Sequence, residues 1–266
     1  IAQLKPSTAA ERLAGLQKRK MLDEDTTLRS VKYRNIGPSN MSGRVVDMDV
    51  NPYNPIEFYV AYATGGLWYT KNNGQSLKPV FDKENSMGIG DIAVNWKKNI
   101  IWVGTGEANS SRSSYSGDGV YISRNSGKTW EHAGLPQSQH IGKIQLHPTD
   151  DNKAWAAVIG NLYSPSKERG VYQTNDAGKT WSHILAIDEN TGVIDMDMNP
   201  LNPNELYAAA WYRTRRAWNF EEAGKTSAIY KSIDGGTTWK LASGNGSGFP
   251  AGDSIGRIGL AVCAKN

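Results

Sequence analysis

An all-β fold of repeated four-stranded antiparallel units is what this 266-residue sequence predicts, and three observations carry that prediction. A short polar signature (Ser or Thr, Asn or Asp, Gly, Ser or Thr, then usually Trp) occurs four times. Runs with an apolar–polar alternation of period two recur in the same order around every copy. No helical period intervenes between those runs. The copies end at Leu77, Trp130, Trp181 and Trp239, so they stand 53, 51 and 58 residues apart, at the upper edge of the periods that radial repeat folds use.

The first element lies outside the repeats. Residues 7–22 read as one amphipathic helix, with Ser7 or Thr8 as N-cap, Leu13 and Leu16 on one side, and Lys18, Arg19 and Lys20 near the end. Such a helix either lies against the flank of the repeat domain or offers a face to a partner. Each repeat then opens on an inner run: Val45–Val50, Ile92–Val94, Ile144–Leu146, Ile194–Met198 and Ile258–Val262. Turns follow at Asn51-Pro52, His147-Pro148 and Asn199-Pro200, and the first and last of these extend identically as Asn-Pro-x-Asn-Pro, 148 residues or three repeats apart. Second strands are expected over Glu57–Ala61, Ile100–Gly104, Ala154–Ile159 and Glu205–Ala209. Third strands are expected over Leu67–Thr70, Val120–Ser123, Val171–Thr174 and Ile229–Ser232.

The signature itself is hairpin chemistry. Asn72, Asn125, Asp176 and Asp234 can cap backbone N–H groups, while Gly74, Gly127, Gly178 and Gly236 can take positive φ. Trp130, Trp181 and Trp239 can fold back and bury their rings between neighbouring units. A fourth strand should start at the Trp, or at Leu77 in the first copy. Four antiparallel strands per unit of roughly fifty residues describe the blade of a β-propeller. Residues 1–30 are therefore read as helix and linker, and residues 31–266 as four blades plus the first strand of a fifth. A long apolar strand left without a partner is an aggregation hazard, so the chain is expected to be the N-terminal part of a longer propeller of roughly six to ten blades.

Thirty Lys and Arg against 26 Asp and Glu leave a net charge of +4, spread too evenly to indicate nucleic acid, though it would not oppose an acidic glycan. Cys263, the single cysteine, cannot form an internal disulfide. No stretch approaches the length of a membrane span and no signal peptide is visible; a start at Ile1 fits either a removed export signal or a trimmed chain. No metal or cofactor is expected. His132 and His183 fall two residues after successive signature Trp residues, His147 replaces Asn in an Asn-Pro turn, and only His140 lies in a blade-to-blade connection. EF-hand and phosphate-binding glycine loops are absent from the sequence.

Blade topology sorts the loops into two faces. First-to-second and third-to-fourth connections share one; second-to-third and blade-to-blade connections share the other. The short signature and Asn-Pro turns occupy the first face. Three insertions, 107–118, 161–169 and 211–227, occupy the second, and long loops on a rigid scaffold are where function concentrates. The first carries Glu107, Asn109, Arg112, Tyr115 and Asp118; the second Tyr163, Lys167, Glu168 and Arg169; the third Arg213, Arg215, Arg216, Trp218, Phe220, Glu221 and Glu222. Aromatic rings among guanidinium and carboxylate groups suit a sugar or a peptide terminus. The same residues could instead pair between blades and fill loop bases. Glu107 and Asp118 are the candidate carboxylate pair for hydrolysis; Arg112, Tyr115, Tyr163, Arg169, Arg213, Arg215, Arg216 and Trp218 are the candidate binding residues.

The signature is similar to the Asp-box, or bacterial neuraminidase repeat, of sialidases, xyloglucan-active endoglucanases, photosystem II assembly propellers and the sortilin luminal domain. Tyr33–Pro38 leading into Gly43-Arg44-Val45, then Val103–Asn109 and Gly117–Tyr121, more specifically resemble large secreted bacterial proteins with sortilin-like propeller repeats, often described as glycosyl-hydrolase-like. The resemblance covers roughly residues 31–263 and implies a propeller. Function does not follow from fold alone. In the xyloglucan-active family a catalytic Asp precedes a Gly-Gly-x-Tyr-like stretch; the matching segment here, Ala63-Thr64-Gly65-Gly66-Leu67-Trp68, has none. The sialidase Arg-Ile-Pro motif is interrupted in Arg34-Asn35-Ile36-Gly37-Pro38. The reading favoured by the sequence is thus a non-catalytic binding propeller, secreted, periplasmic or on a bacterial surface, recognising a protein or glycan partner. Glycoside hydrolysis is the first alternative and an assembly scaffold the second.

Overall fold

The computed structural model describes residues 7–25, 27, 43–109, 114–250 and 252–263; the Tyr33–Pro38 segment and Arg112 lie outside them. Helix α1 (Ala9–Asp23) precedes four sheets. The first blade holds β1 (Val45–Val50), β2 (Phe58–Tyr62), β3 (Gly66–Thr70) and β4 (Lys78–Pro79). The second holds β5 (Ile89–Asn95), β6 (Ile100–Thr105), β7 (Val120–Ser123) and β8 (Glu131–His132). In the third are β9 (Ile141–Leu146), β10 (Ala154–Val158), β11 (Gly170–Thr174) and β12 (Ser182–Leu185). The fourth consists of β13 (Thr191–Met198), β14 (Leu206–Tyr212), β17 (Ala228–Ser232) and β18 (Lys240–Leu241), with the hairpin β15 (Thr214–Arg215) and β16 (Phe220–Glu221) inserted between β14 and β17. Each sheet pairs its strands in sequence order, β1-β2-β3-β4 and its counterparts, and every pairing is antiparallel. These are β-propeller blades.

Local chemistry explains the turns. In all four signatures the Asn or Asp side chain accepts the N–H four residues on: Ser76 at 3.0 Å, Thr129 at 2.9 Å, Thr180 at 2.8 Å and Thr238 at 2.9 Å. The preceding Ser or Thr hydroxyl accepts the glycine N–H at 2.9–3.0 Å in each copy. Glycines 74, 127, 178 and 236 take φ of 78°, 79°, 86° and 96°, as the sequence predicts. The Asn-Pro-x-Asn-Pro turns have an equally local reason: Asn51 and Asn199 donate side-chain N–H groups to Glu57 and Glu205 at 2.7 and 2.9 Å, closing the turn on the next strand.

Four apolar clusters fill the gaps around successive blades. Alternation on the second strands assigns each residue to a gap: Ile101 and Val103 face the first blade, whereas Trp102 joins the cluster with the third; Ala154, Ala156 and Val158 face the second, and Trp155 and Ala157 the fourth. The signature tryptophans reach backwards into these gaps. Trp130 Nε1 donates to the Val80 carbonyl and Trp181 Nε1 to the Ala133 carbonyl, both at 2.7 Å.

Among the described residues, inner strands of neighbouring blades form no ladder with each other, so their outward N–H groups need other acceptors. Carboxylates supply them. Asp47 and Asp49 accept the N–H groups of Ile92 and Val94 at 3.2 and 2.8 Å, and Asp91 accepts that of Ile144 at 2.7 Å. Asp195 and Asp197 do the same for Leu260 and Val262 at 2.9 and 2.6 Å. Residues 258–262, expected as a strand, are held to β13 by these two carboxylates and form no ladder among the described residues. Burial raises the Asp91 carboxyl well above its ordinary range. Burial acts to lower its partner Lys143, 3.2 Å away, but Asp91, Asp47 and Asp195 outweigh that and hold it up at about 12.

The helix lies across the blade connections. Thr8 caps it through a reciprocal pair with Glu11. Arg12 donates to the Pro136 carbonyl at 3.1 Å, Lys20 pairs with Glu84 at 3.0 Å, and Leu16 is buried in the cluster between the first two blades. The fourth strands start one residue later than the sequence predicts, at Lys78, Glu131, Ser182 and Lys240, and three of them span only two residues.

Candidate functional site

The three insertions meet on one face. The Arg215 N–H donates to the Leu162 carbonyl at 3.1 Å, joining the third insertion to the second. Arg213 Nη2 donates to the Asn109 carbonyl at 3.5 Å, and Arg257 Nη1 donates to the Asn109 side-chain oxygen at 3.1 Å, joining the first. One close approach needs glycine: Gly106 sits at φ 89°, where a Cβ would run into the Gln139 carbonyl.

Between the second and third insertions lies a cleft of about 280 Å³, walled by Tyr163, Tyr212, Arg215, Arg216, Asn190 and Glu221. The β15–β16 hairpin builds one wall, with Thr214 opposite Glu221 and Arg215 opposite Phe220. Its tip is closed by the Arg216 N–H donating to the Asn219 carbonyl at 2.7 Å. Arg169 forms the floor. It is 1% exposed and gives its guanidinium to the carbonyls of Asn190 at 2.6 Å, Arg213 at 3.0 Å, Asn161 at 2.5 Å and Ser164 at 3.4 Å. Burial lowers it to about 10, with Asp188 pulling the other way, so it stays charged at neutral pH.

Behind the cleft runs an alternating stack of cations and rings. Arg215 lies 4.9 Å from the Phe220 centroid, Arg213 lies 5.3 Å from Phe220 and 4.9 Å from Trp211, and Arg257 lies 5.9 Å from Trp211. Arg213 is fully buried; burial lowers it to about 10, opposed chiefly by Glu222. Its Nε and Nη1, with Nη1 of Arg215 and Oε1 of Glu222, are buried without a hydrogen-bond partner.

The candidate carboxylates sit apart from this cleft. Glu107 is fully buried, pairs with Arg44, and leaves Oε2 unpartnered. Asp118, 3% exposed, accepts Tyr121 Oη and Asn85 Nδ2, each at 2.8 Å. Of the candidate binding residues, Tyr163, Arg215 and Arg216 wall the cleft, and Arg169 and Arg213 are buried beneath and behind it. Trp218 is 82% exposed at the hairpin tip; Tyr115 is exposed on the first insertion, away from the cleft walls.

The histidines take structural places. His132 and His183 bond the carbonyls of Asp118 and Arg169 at 2.8 and 3.0 Å in matching positions. His147 accepts the Asp150 N–H at 3.1 Å in its turn. His140, 1% exposed, bonds the Glu107 carbonyl at 2.9 Å, and burial lowers it to about 4, so it is neutral at physiological pH. No group of three or more potential metal ligands is present among the described residues.

Sequence reasoning missed Asn190, Tyr212 and Arg257 in this region. They come from a blade connection, a strand end and the start of the next unit, and no local pattern marks them. Among the described residues no helix is long and apolar enough to cross a membrane.

The chain is similar to known propeller enzymes. An oligoxyloglucan-reducing end-specific xyloglucanase of Emericella nidulans is 23% identical over 239 residues, covering 75% of this chain; the chain spans only 28% of that relative's length. The structure of an ancestral GH74 enzyme superposes with a TM-score of 0.59 at 19% identity, covering 79% of this chain and 26% of that one. The Niastella koreensis GH74 enzyme gives 0.54 at 20% identity, covering 73% and 28%. At such identities the superpositions show the fold. Residues 118–254, from the end of the first insertion through the fourth blade, match the model of Sortilin-Vps10 (Sortilin, neurotensin receptor 3); with more than half of its length matched, the chain belongs to the Sortilin-Vps10 family.

Proposed function

We propose that this chain is the glycan-recognising part of a polysaccharide-acting propeller protein of glycoside-hydrolase type, working outside the cytoplasm. The carrying observation is the convergence of the second and third insertions on a cleft walled by Tyr163, Tyr212, Arg215 and Asn190. A sugar presents apolar C–H faces and a rim of hydroxyls; tyrosine rings suit the first, and amide and guanidinium donors suit the second. The xyloglucanase relative supports a polysaccharide over a protein as the ligand.

Any hydrolysis would draw on carboxylates other than the pair singled out from sequence. Asp118 is tied up by Tyr121 and Asn85, Glu107 is fully buried, and the segment preceding Gly65-Gly66 offers buried Ala63 in place of an acid. The full-length protein, incubated with a panel of polysaccharides, should retain at least one and, as an enzyme, release reducing ends from it. Tyr163→Ala should weaken retention about tenfold, the worth of one lost aromatic contact. Asp118→Asn should leave release unchanged. Failure to retain any polymer, or retention indifferent to Tyr163, contradicts the proposal and directs the search to a protein ligand, the function that family membership alone would suggest.

A further inference from the structure

We infer that the ligand of this cleft is an acidic polysaccharide, and that Arg215 and Arg216 receive the carboxylate of a uronic-acid residue seated between Tyr163 and Tyr212. The inference rests on the glycan reading above and specifies its substrate class.

Positive charge collects here without direct ion pairing among the described residues. Arg169, Arg213, Arg215, Arg216 and Arg257 gather in and behind one cleft, and none forms an ion pair within 4.0 Å among the described residues. Asp188 and Glu222 act on buried Arg169 and Arg213 only from beyond ion-pair distance, and Glu221 in the cleft wall is held by the hairpin. Glu221 accepts Tyr212 Oη at 3.4 Å, Thr214 Oγ1 at 3.2 Å and Asn219 Nδ2 at 3.2 Å, bonds that fix the hairpin. Buried Arg169 spends its charge on neutral carbonyls, and buried Arg213 stacks between Trp211 and Phe220 with Nε and Nη1 unpartnered.

Burying cations without directly paired counter-charges is costly. A ligand anion would complete the neutralisation that Asp188 and Glu222 begin at a distance, and the less buried cations line a cavity. Arg215 lines the cleft and is half-buried, with Nη1 enclosed, and Arg216 is exposed at the mouth. Two guanidinium forks match a planar carboxylate better than isolated hydroxyls do. A cleft of about 280 Å³ has room for a monosaccharide ring, and the two tyrosines give that ring a platform. Together these select a sugar that carries its own carboxylate.

The test is affinity electrophoresis of the full-length protein in gels containing polygalacturonate, the same polymer with its carboxyl groups reduced to alcohols, or dextran sulfate. Retardation by polygalacturonate should exceed that by the reduced polymer about tenfold, the worth of one charge-assisted contact. Arg216→Gln, at an exposed position that folding does not need, should remove most of that difference; Arg216→Lys should restore part of it. Equal retardation by the acidic and reduced polymers overturns the inference and leaves the glycan reading standing. Equal or stronger retardation by dextran sulfate overturns it too, by showing undirected attraction to polyanions. If no polymer retards the protein, the glycan reading fails and the inference with it.

Discussion

Asp176 and Asp234 each accept a backbone N–H and a threonine hydroxyl, the latter at 2.6 Å, and the hydroxyl and amide bonds from Thr180 and Thr238 hold both carboxyls down at about 2. A carboxyl depressed in the folded state stabilises it above the unfolded value, near 4, and that contribution is lost as pH falls toward 2. Asn72 and Asn125 make the equivalent amide bonds in the first two blades. Asp176→Asn with Asp234→Asn should therefore fold, and its urea midpoint should fall less steeply than wild type between pH 4 and 2; an unchanged slope would contradict the assignment. These residues were legible in the sequence because their partners lie within four positions. Asp47, Asp49, Asp195 and Asp197 were in plain view on the inner runs, and Asp91 just before one, yet their partners sit 45 to 65 residues away in the next blade, where no local pattern points. Arg169 and Arg213, read as ligand-facing, are buried for the same reason: composition places a residue in a loop without saying which way the loop folds.

Strand order, turn chemistry and a cap at Ser7 or Thr8 were all readable, because alternation and capping are properties of adjacent residues; the structure selects Thr8. Strand ends were less so. The second strands of the second and fourth blades run on to Thr105 and Tyr212, past the residues where alternation stops, since ladder partners in β5 and β13 continue. The β15–β16 hairpin was hidden inside an insertion because two-residue strands carry no period. Trp130 and Trp181 join their blades to the preceding ones through the indole N–H, whereas Trp239 donates to Gly236 in its own turn. Trp130→Phe keeps an aromatic ring near Phe81, whose centroid lies 4.9 Å from that of Trp130, but abandons the Val80 carbonyl and removes part of a buried indole. It should cost about 2 kcal/mol in chemical denaturation, about half from the lost bond and half from the lost packing. A loss near zero would show that water replaces the indole, and a loss several times larger that ring position depends on the bond.

Across the whole molecule the blades act as a frame that brings separated insertions to one face. Topology alone predicted that face, and the contacts of Asn109 with Arg213 and Arg257 and of Leu162 with Arg215 place the insertions together there. What topology could not predict is which pair of insertions leaves a cavity; that follows from the hairpin wall and the Arg169 floor. The arginines gathered here form no ion pair within 4.0 Å among the described residues. The central claim is that ligand enters here rather than at the signature turns or along the inner strands. Hydrogen–deuterium exchange of the full-length protein, with and without a polysaccharide it retains, tests that directly. The account predicts slowed exchange in residues 161–169 and 212–222, with residues 70–76 and 123–129 unchanged. Protection confined to the signature turns or the inner strands, with the cleft segments exchanging as before, would contradict it.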